Sequence, residues 1–317
     1  MTRLAVVGTG GWGKNHVRVF CELLGTEQVI ACDTDPIRRA AIETAHPGIA
    51  TCDRVDPETI DAAVIATPAP THFALARDAL RSGLHVLVEK PIALRATEAE
   101  ELLRLAEQSD RILMVDHLLE YHPAICKLRE LVTSGTLGRV LHATSQRLNL
   151  GVIRSEENAL WSLAPHDVSV LLFLIGEEPR EIQASGEALL QKGIEDIVHV
   201  TMRFPSGALA HMHLSWLDPV KTRRLTIVGD RAMAVFEDGA EAPLLLYQHR
   251  IELSEGRYTV QRTDPEAVGF PRDEPLRSVA QAFLTSVETG EPPTADGRDG
   301  LRVVRVLERA QDALNGR

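Results

Sequence analysis

Apolar residues in the first third of the chain fall into short unbroken runs separated by longer amphipathic stretches. Residues 3–8 (RLAVVG), 28–32, 62–66, 84–88 and 112–115 read as buried strands. Between them, residues 14–24, a stretch opened by Asp35-Pro36, residues 73–82 and residues 97–108 carry helical spacing. Pro36 suits a first helical turn, Gly83 a helix stop, and Thr97-Glu98-Ala99-Glu100 a capping box. Strands alternating with helices of this length form βαβ units, and βαβ units build a doubly wound parallel sheet.

From about residue 119 the rhythm changes. A helix over 123–134 is followed by strand-like stretches at 139–149, 182–186, 197–204, 208–216, 223–228, 232–237, 244–248 and 258–262. Pro205-Ser206-Gly207, Gly229-Asp230 and Asp238-Gly239 are turn signals joining several of them as hairpins. Three further helices are predicted, over 165–174, 277–289 and 300–315. The fold class is therefore α/β for residues 1–118, followed over 119–317 by an α+β domain with an open, mostly antiparallel sheet. An apolar uncovered face on that sheet would drive a homodimer or homotetramer.

A length of 317 residues allows two such cores. The net charge of −11 and the absence of a Lys/Arg block exclude a nucleic-acid binder, while local cations can still serve an anionic substrate. The four cysteines are scattered and no signal peptide is evident, which predicts a reduced, cytoplasmic protein. The longest apolar runs are too short to cross a membrane.

Gly8-Thr9-Gly10-Gly11-Trp12-Gly13 places glycines in a GxGxxG pattern between the first strand and the first helix. In this context Gly8 permits the tight turn, Gly10 lets the backbone approach a pyrophosphate, and Gly13 allows close packing of helix on strand. Gly11 and Trp12 share that loop, and the helix N-terminus offers N–H groups to phosphates. The first domain is thus expected to be a Rossmann domain. Asp33 follows Gly13 by 20 residues at the end of the second strand, where a carboxylate binds the adenosine ribose and repels a 2′-phosphate. That favours NAD; Arg38 and Arg39 leave NADP open. The later strand ends contribute Thr67, Pro68 and His72, and then Glu89-Lys90-Pro91.

VVGTGGWGKNH, TPAPTH, EKPIAL and APHD together resemble the glucose–fructose oxidoreductase / inositol dehydrogenase / MocA (Gfo/Idh/MocA) family over nearly the whole chain. ENALWSLAPHDVSVLLFLIGEEP, DHLLEYHPA and HLSWLDPVKTRRLTIVG are most similar to its UDP-N-acetylglucosamine-uronate 3-dehydrogenase branch. The resemblance implies an NAD(P)-dependent oxidoreductase acting on a ring secondary alcohol of a sugar or sugar nucleotide, with C3 oxidation of a nucleotide-activated amino sugar or uronate expected. Reduction of a ketosugar or ketocyclitol, and a non-catalytic dinucleotide-binding sensor, are the alternatives.

The resemblance places Lys90 beside the reacting hydroxyl and the nicotinamide ribose. An ammonium facing a positively charged ring is pushed toward its neutral form, which fits it for proton transfer. Glu89 would partner the ribose or the lysine. His166, read as standing at a helix start, would relay the substrate proton, and Asp167 would orient its ring. Many relatives carry aspartate four residues before this histidine; here the position is Ser162. Candidate substrate contacts are His117, Tyr121, Arg147, Asn149, Arg154, Asn158, Ser162 and Asp167. His211 and His213 share a strand face, but without nearby thiols they predict no metal site.

Overall fold

The structure, a computed structural model, describes residues 2–316. β1 (Leu4–Val7) enters the glycine turn and α1 (Gly13–Leu24). Then come β2 (Val29–Cys32), α2 (Pro36–Ala45), β3 (Ala50–Cys52), β4 (Ala62–Ile65), α3 (His72–Arg81), β5 (His85–Val88), α4 (Ala96–Ser109) and β6 (Leu113–Val115). A 3-10 turn, Leu118–Tyr121, precedes α5 (Pro123–Thr133), β7 (Val140–Leu150) and α6 (Ala159–Ile175). The strands β8 (Glu181–Glu187), β9 (Ile197–Arg203), β10 (Leu209–Ser215) and β11 (Leu217–Gly229) follow. They are succeeded by β12 (Met233–Glu237), β13 (Leu244–Tyr247), β14 (Arg250–Ser254), β15 (Arg257–Gln261) and β16 (Glu266–Ala267), and finally by α7 (Pro275–Thr289) and α8 (Gly297–Leu314).

Two compact units emerge: the chain up to Tyr121 with Asp273–Arg305, and His122–Arg272 with the chain from Val306 onward. The first contains a six-stranded sheet in the order β3-β2-β1-β4-β5-β6, every pairing parallel. β4 is buried along its whole length, as helices on both faces of a parallel sheet require. Sequence reading leaves everything beyond residue 118 outside this unit, yet α7 belongs to it. Leu276, Val279, Ala280, Phe283 and Leu284 of α7 enter the core that holds Val17 and Phe20 of α1. Phe20 and Phe283 meet edge to face at 6.5 Å. Burying each such side chain is worth about 1.5–3 kcal/mol, enough to fix a helix far along the chain.

Two helix starts differ from expectation. α4 begins after Arg95 with no side-chain cap, so Thr97 lies inside the helix and no capping box forms. α6 begins six residues before Pro165, capped by Asn158, whose Oδ1 accepts from the Trp161 N–H at 3.2 Å. Pro165 is interior to the helix. His166 and Asp167 are therefore mid-helix, and neither complements a helix N-terminus.

The second unit carries an eight-stranded sheet, β16-β13-β12-β11-β7-β10-β9-β8, in which only the β7–β10 pairing is parallel. Ala143, Val198, Val200, Met202, Ala210, Met212, Leu214 and Ile227 are buried on one face, and α6 packs against β7, β9 and β10. The opposite face presents His142, Thr144, Gln146, His199, Thr201, Arg203, His211 and His213, all half-buried or exposed. Toward β12 and β13 the same face turns apolar, with Val228, Met233, Leu245 and Tyr247 all half-buried on it. Further exposed apolar surface lies on the β14–β15 hairpin. Ile251 opposes Val260 and Leu253 opposes Tyr258, and all four are more than half exposed.

Candidate active site

The glycine turn has the shape a dinucleotide requires. Gly8 has φ +90°, and a Cβ there would lie 2.8 Å from the Ala66 carbonyl oxygen. A Cβ on Gly13 would lie 1.8 Å from the Gly8 carbonyl oxygen, so helix and strand meet backbone to backbone. Gly10 and Gly11 are different. A Cβ on Gly10 would meet only the Arg38 side chain, and one on Gly11 would meet nothing within 4 Å. The first pair closes the turn and the second keeps its outer surface open. α1 has no side-chain cap and no acidic residue in its first turn, which leaves its positive end available to an anion. Trp12 is 48% exposed at that end.

Asp33 is buried at the end of β2. Its Oδ2 accepts from the Thr9 N–H at 2.8 Å and the Thr9 hydroxyl at 3.0 Å, and its Oδ1 accepts from the Asp35 N–H at 2.9 Å. Burial pushes this carboxyl up, but those donors and Arg38 outweigh it and hold the pKa below the usual carboxylate range. The group is thus an anion at neutral pH. Arg38 Nη1 stands 3.6 Å from Asp33 Oδ2, and Arg39 Nη1 donates to the Asp33 carbonyl at 2.6 Å. These contacts confine Asp33 beside the turn and bring one arginine over Gly10.

The strand ends converge on the same region. Thr67 follows β4, and its Cγ2 would lie 2.9 Å from a Cβ on Gly8; Pro68 is exposed beside it. Lys90 follows β5, the neighbour of β4, and its peptide bond to Pro91 is cis. The Lys90 N–H donates to Glu89 Oε2 at 3.3 Å. His72 was expected at the cofactor, but the structure buries it. Its Nδ1 lies 2.7 Å from the Pro91 carbonyl and its Nε2 2.8 Å from the Thr67 carbonyl. Both ring nitrogens being engaged, His72 braces the EKP turn from α3.

Glu89 was expected at the ribose or the lysine. Its carboxylate turns inward, with Oε1 3.1 Å from His16 Nε2. His16 Nε2 also lies 3.4 Å from Asp116 Oδ2 at the end of β6. Burial alone would drive the His16 ring neutral, but Asp116 and Glu89 raise its pKa to about 9. Burial likewise opposes ionisation of Glu89, yet His16, Lys90 and His72 bring its pKa below the usual value. Neither His16 nor Asp116 is assigned a role by sequence reading, although His16 stands inside the GWGKNH motif.

His117 and Tyr121, expected as substrate contacts, are both engaged by partners within the first unit. His117 is 1% exposed, with Nδ1 2.7 Å from Asp299 Oδ2 and 3.3 Å from Glu120 Oε1. Burial works against its charge, but Asp299 and Glu120 raise its pKa to about 10. Burial pushes Glu120 up to about 7 despite His117. The Tyr121 hydroxyl accepts from the Ala295 N–H at 3.3 Å and lines a separate cavity of about 620 Å³ with Arg277, Gln281 and Thr285.

In the second unit, Ser162 and His166 stand four residues apart on α6 and share a helix face, each half-buried. Asp167 points elsewhere. It accepts from the Ser145 hydroxyl and, at 2.5 Å, from Arg147 Nε, so both Asp167 and Arg147 are committed to each other rather than to substrate. Asn158 is consumed as well: beyond its capping bond, Nδ2 donates to Glu195 at 2.6 Å and Gln311 at 2.9 Å. Asn149 folds against Gly151, and Arg154 is exposed with Glu157 at 3.6 Å. Of the expected substrate contacts, Asn149, Arg154 and Ser162 remain at accessible positions. His211 and His213 pair with different rings, at 5.2 Å from His142 and 4.3 Å from His199.

A Rossmann sheet with an open glycine turn, an acidic end to β2 and a lysine at the mouth of β5 fits an NAD-binding oxidoreductase. Residues 2–117 match the family profile described as "Oxidoreductase family, NAD-binding Rossmann fold", and residues 125–235 match the GFO/IDH/MocA C-terminal domain. The chain belongs to the Gfo/Idh/MocA family. It is 28% identical over 314 residues to UDP-N-acetylglucosamine 3-dehydrogenase of Acidithiobacillus ferrooxidans, covering 98% of this chain and 97% of that protein. The solved structure of that enzyme superposes with a TM-score of 0.87 at 26% identity, covering 99% and 98% of the two chains. Inositol 2-dehydrogenase of Rhizobium meliloti is 26% identical over 321 residues, covering 97% and 95%. The Bordetella pertussis WlbA dehydrogenase, solved with NADH and UDP-GlcNAcA, shares the fold with a TM-score of 0.77 at 20% identity, covering 99% and 97%. No helix among the described residues is long and apolar enough to cross a membrane.

Proposed function

We propose that this protein is an NAD-dependent dehydrogenase that oxidises the C3 hydroxyl of a nucleotide-activated amino sugar or its uronate. The observation that carries the reading is Lys90. It stands at the carboxyl end of β5, next to the strand whose end touches the Gly8 turn, and open α/β sheets bind ligands outside their strand carboxyl ends. The full-length likeness to a UDP-N-acetylglucosamine 3-dehydrogenase supports the substrate class.

Held at the Gly8–Gly13 turn and Asp33, NAD would supply the hydride acceptor for the alcohol carbon. Lys90 hydrogen-bonds the reacting oxygen and favours its developing negative charge. His166 accepts the hydroxyl proton, completing conversion of alcohol to ketone. Ser162 supplies a hydroxyl on the same helix face, and Asn149 and Arg154 are the donors left for an anionic or nucleotide-linked substrate. The test is the absorbance of NADH formed from NAD with UDP-N-acetylglucosamine, its uronate, free sugars and myo-inositol. Turnover of inositol or a free sugar with none of the UDP-sugars overturns the substrate assignment.

NAD is the proposed cofactor because the ionised Asp33 disfavours a 2′-phosphate. Asp33→Ser is expected to shift the kcat/KM ratio from NAD toward NADP by about tenfold or more, worth about 1.4 kcal/mol. An unchanged ratio in folded protein would assign cofactor choice to Arg38 and Arg39 instead. A homodimer or homotetramer is the proposed assembly, supported by the one-sided apolar hairpin. Light scattering that reports a monomer at micromolar concentration contradicts it.

A further inference from the structure

Beneath the lysine lies a buried group of side chains that the chemistry above does not use. His16, on the helix whose N-terminus faces the glycine turn, brings Nε2 within 3.1 Å of Glu89 Oε1 and 3.4 Å of Asp116 Oδ2. The rings and carboxylates are almost wholly enclosed, with side-chain exposures of 1% for His16, 11% for Glu89 and 3% for Asp116. The other oxygen of Glu89 accepts the backbone N–H of Lys90. One carboxylate thus touches the cofactor helix with one oxygen and the peptide of Lys90 with the other.

Burial makes this bridge electrostatically strong, because a charge removed from water interacts far more with its neighbours. The groups facing Glu89 are His16 from α1, Lys90 on its own segment and His72 from α3; those facing Asp116 are His16, Glu89 and His117. Along the path, cation and anion alternate from Lys90 through Glu89 to His16. An uncompensated Glu89 carboxylate would hold the Lys90 proton tightly. The imidazolium on its far side draws off part of that field.

We propose that His16 is a positioning residue for Lys90: acting through Glu89, it fixes the carboxylate beside the lysine and tempers its pull on the lysine proton. The proposal rests on the reading of Lys90 as the group at the reacting oxygen. It links the helix that opens on the glycine turn to Lys90 through a buried carboxylate. A purely structural ion cluster is the competing account, and a buried ion pair is by itself weak grounds for stability.

The test reads Lys90 directly, without turnover. Reductive methylation of the protein is followed against pH, with the Lys90 peptide quantified by mass spectrometry. In His16→Gln the buried Asp116, already pushed up by burial and by Glu89, takes up a proton, and Glu89 faces Lys90 without its compensating cation, so the Lys90 titration midpoint is expected to move up. In Glu89→Gln the carboxylate is gone and the midpoint is expected to move down. The double variant should lie close to Glu89→Gln, because the carboxylate that links His16 to the Lys90 peptide is gone. NADH binding and circular dichroism confirm the fold of each.

Should His16→Gln not fold, reciprocity supplies the same measurement in a milder variant. Lys90→Met removes a positive charge near Glu89, and the His16 ring resonances in NMR should then titrate at higher pH than in the parent. Midpoints that coincide in parent and variants, or that move the same way in His16→Gln and Glu89→Gln, overturn the proposal in favour of the structural account. Full turnover in Lys90→Met would overturn the functional reading instead, while leaving the His16 linkage measurable.

Discussion

Lys90→Ala is expected to lower kcat by about 10²–10⁴-fold, the usual worth of a positioned proton-transfer or polarising group. NADH affinity should change little, because the cofactor's phosphates are offered the α1 N-terminus and the open surface of Gly10 and Gly11 rather than the lysine. The split between turnover and binding is the decisive part. An interaction made mainly in the transition state lowers kcat and kcat/KM together, whereas uniform binding raises KM alone. Lys90→Arg is expected to be almost as damaging. Its guanidinium stays charged at any accessible pH and has a planar fork where a compact ammonium is needed. Stopped-flow traces of NADH formation, beside fluorescence titration of NADH, separate the two quantities. Wild-type kcat in Lys90→Ala would remove the lysine from the chemistry.

The parts of this fold legible in the sequence are those written in local patterns. Unbroken apolar runs place β1, β2, β4, β5 and β6 because a parallel sheet buries both faces of every central strand. GTGGWG places the turn, since the Gly8 and Gly13 contacts exclude any Cβ. Errors arose where a local rule met a tertiary override. Proline favours a first helical turn, so Pro165 suggests a helix start; the stronger signal is Asn158, whose capping bond begins α6 well before it. A helix starting at Pro165 would put His166 at its N-terminus; the Asn158 cap puts it mid-helix. β3 and β16 are short, the first mostly half-buried and the second exposed, and carry little apolar pattern to find.

The candidate site divides in the same way. Strand ends and glycines are visible because chemistry and backbone geometry coincide in consecutive residues. Partnership between distant polar residues is not. Asp167 sits beside His166 in sequence but is taken up by Ser145 and Arg147 across the core. His117 reads as a cleft histidine until Asp299, 182 residues later, closes on it. Buried polar groups must find partners, and those partners are chosen by topology. A sequence rule that treats each polar residue singly therefore overstates the number available to a ligand. Lys90 in one unit, and Ser162, His166, Asn149 and Arg154 in the other, keep half-buried or exposed positions.

His166→Gln is the second large effect expected, again about 10²–10⁴-fold in kcat with NADH binding preserved. His166 stands one helical turn after Ser162, on a helix fixed by the Asn158 cap and by packing on β7, β9 and β10. An aspartate at that preceding position would hold the ring by a carboxylate and strengthen its grip on a proton. With serine there, His166 works without that charge. Ser162→Asp supplies the contrast, because the two side chains share a helix face and a neighbouring anion favours the imidazolium. The acid limb of the kcat–pH profile, where the ring must be neutral to accept the proton, should then move to higher pH. His166→Gln should abolish that limb in both backgrounds. If Ser162→Asp leaves the profile unmoved while His166→Gln still stops turnover, the histidine orients substrate and the proton leaves by way of Lys90.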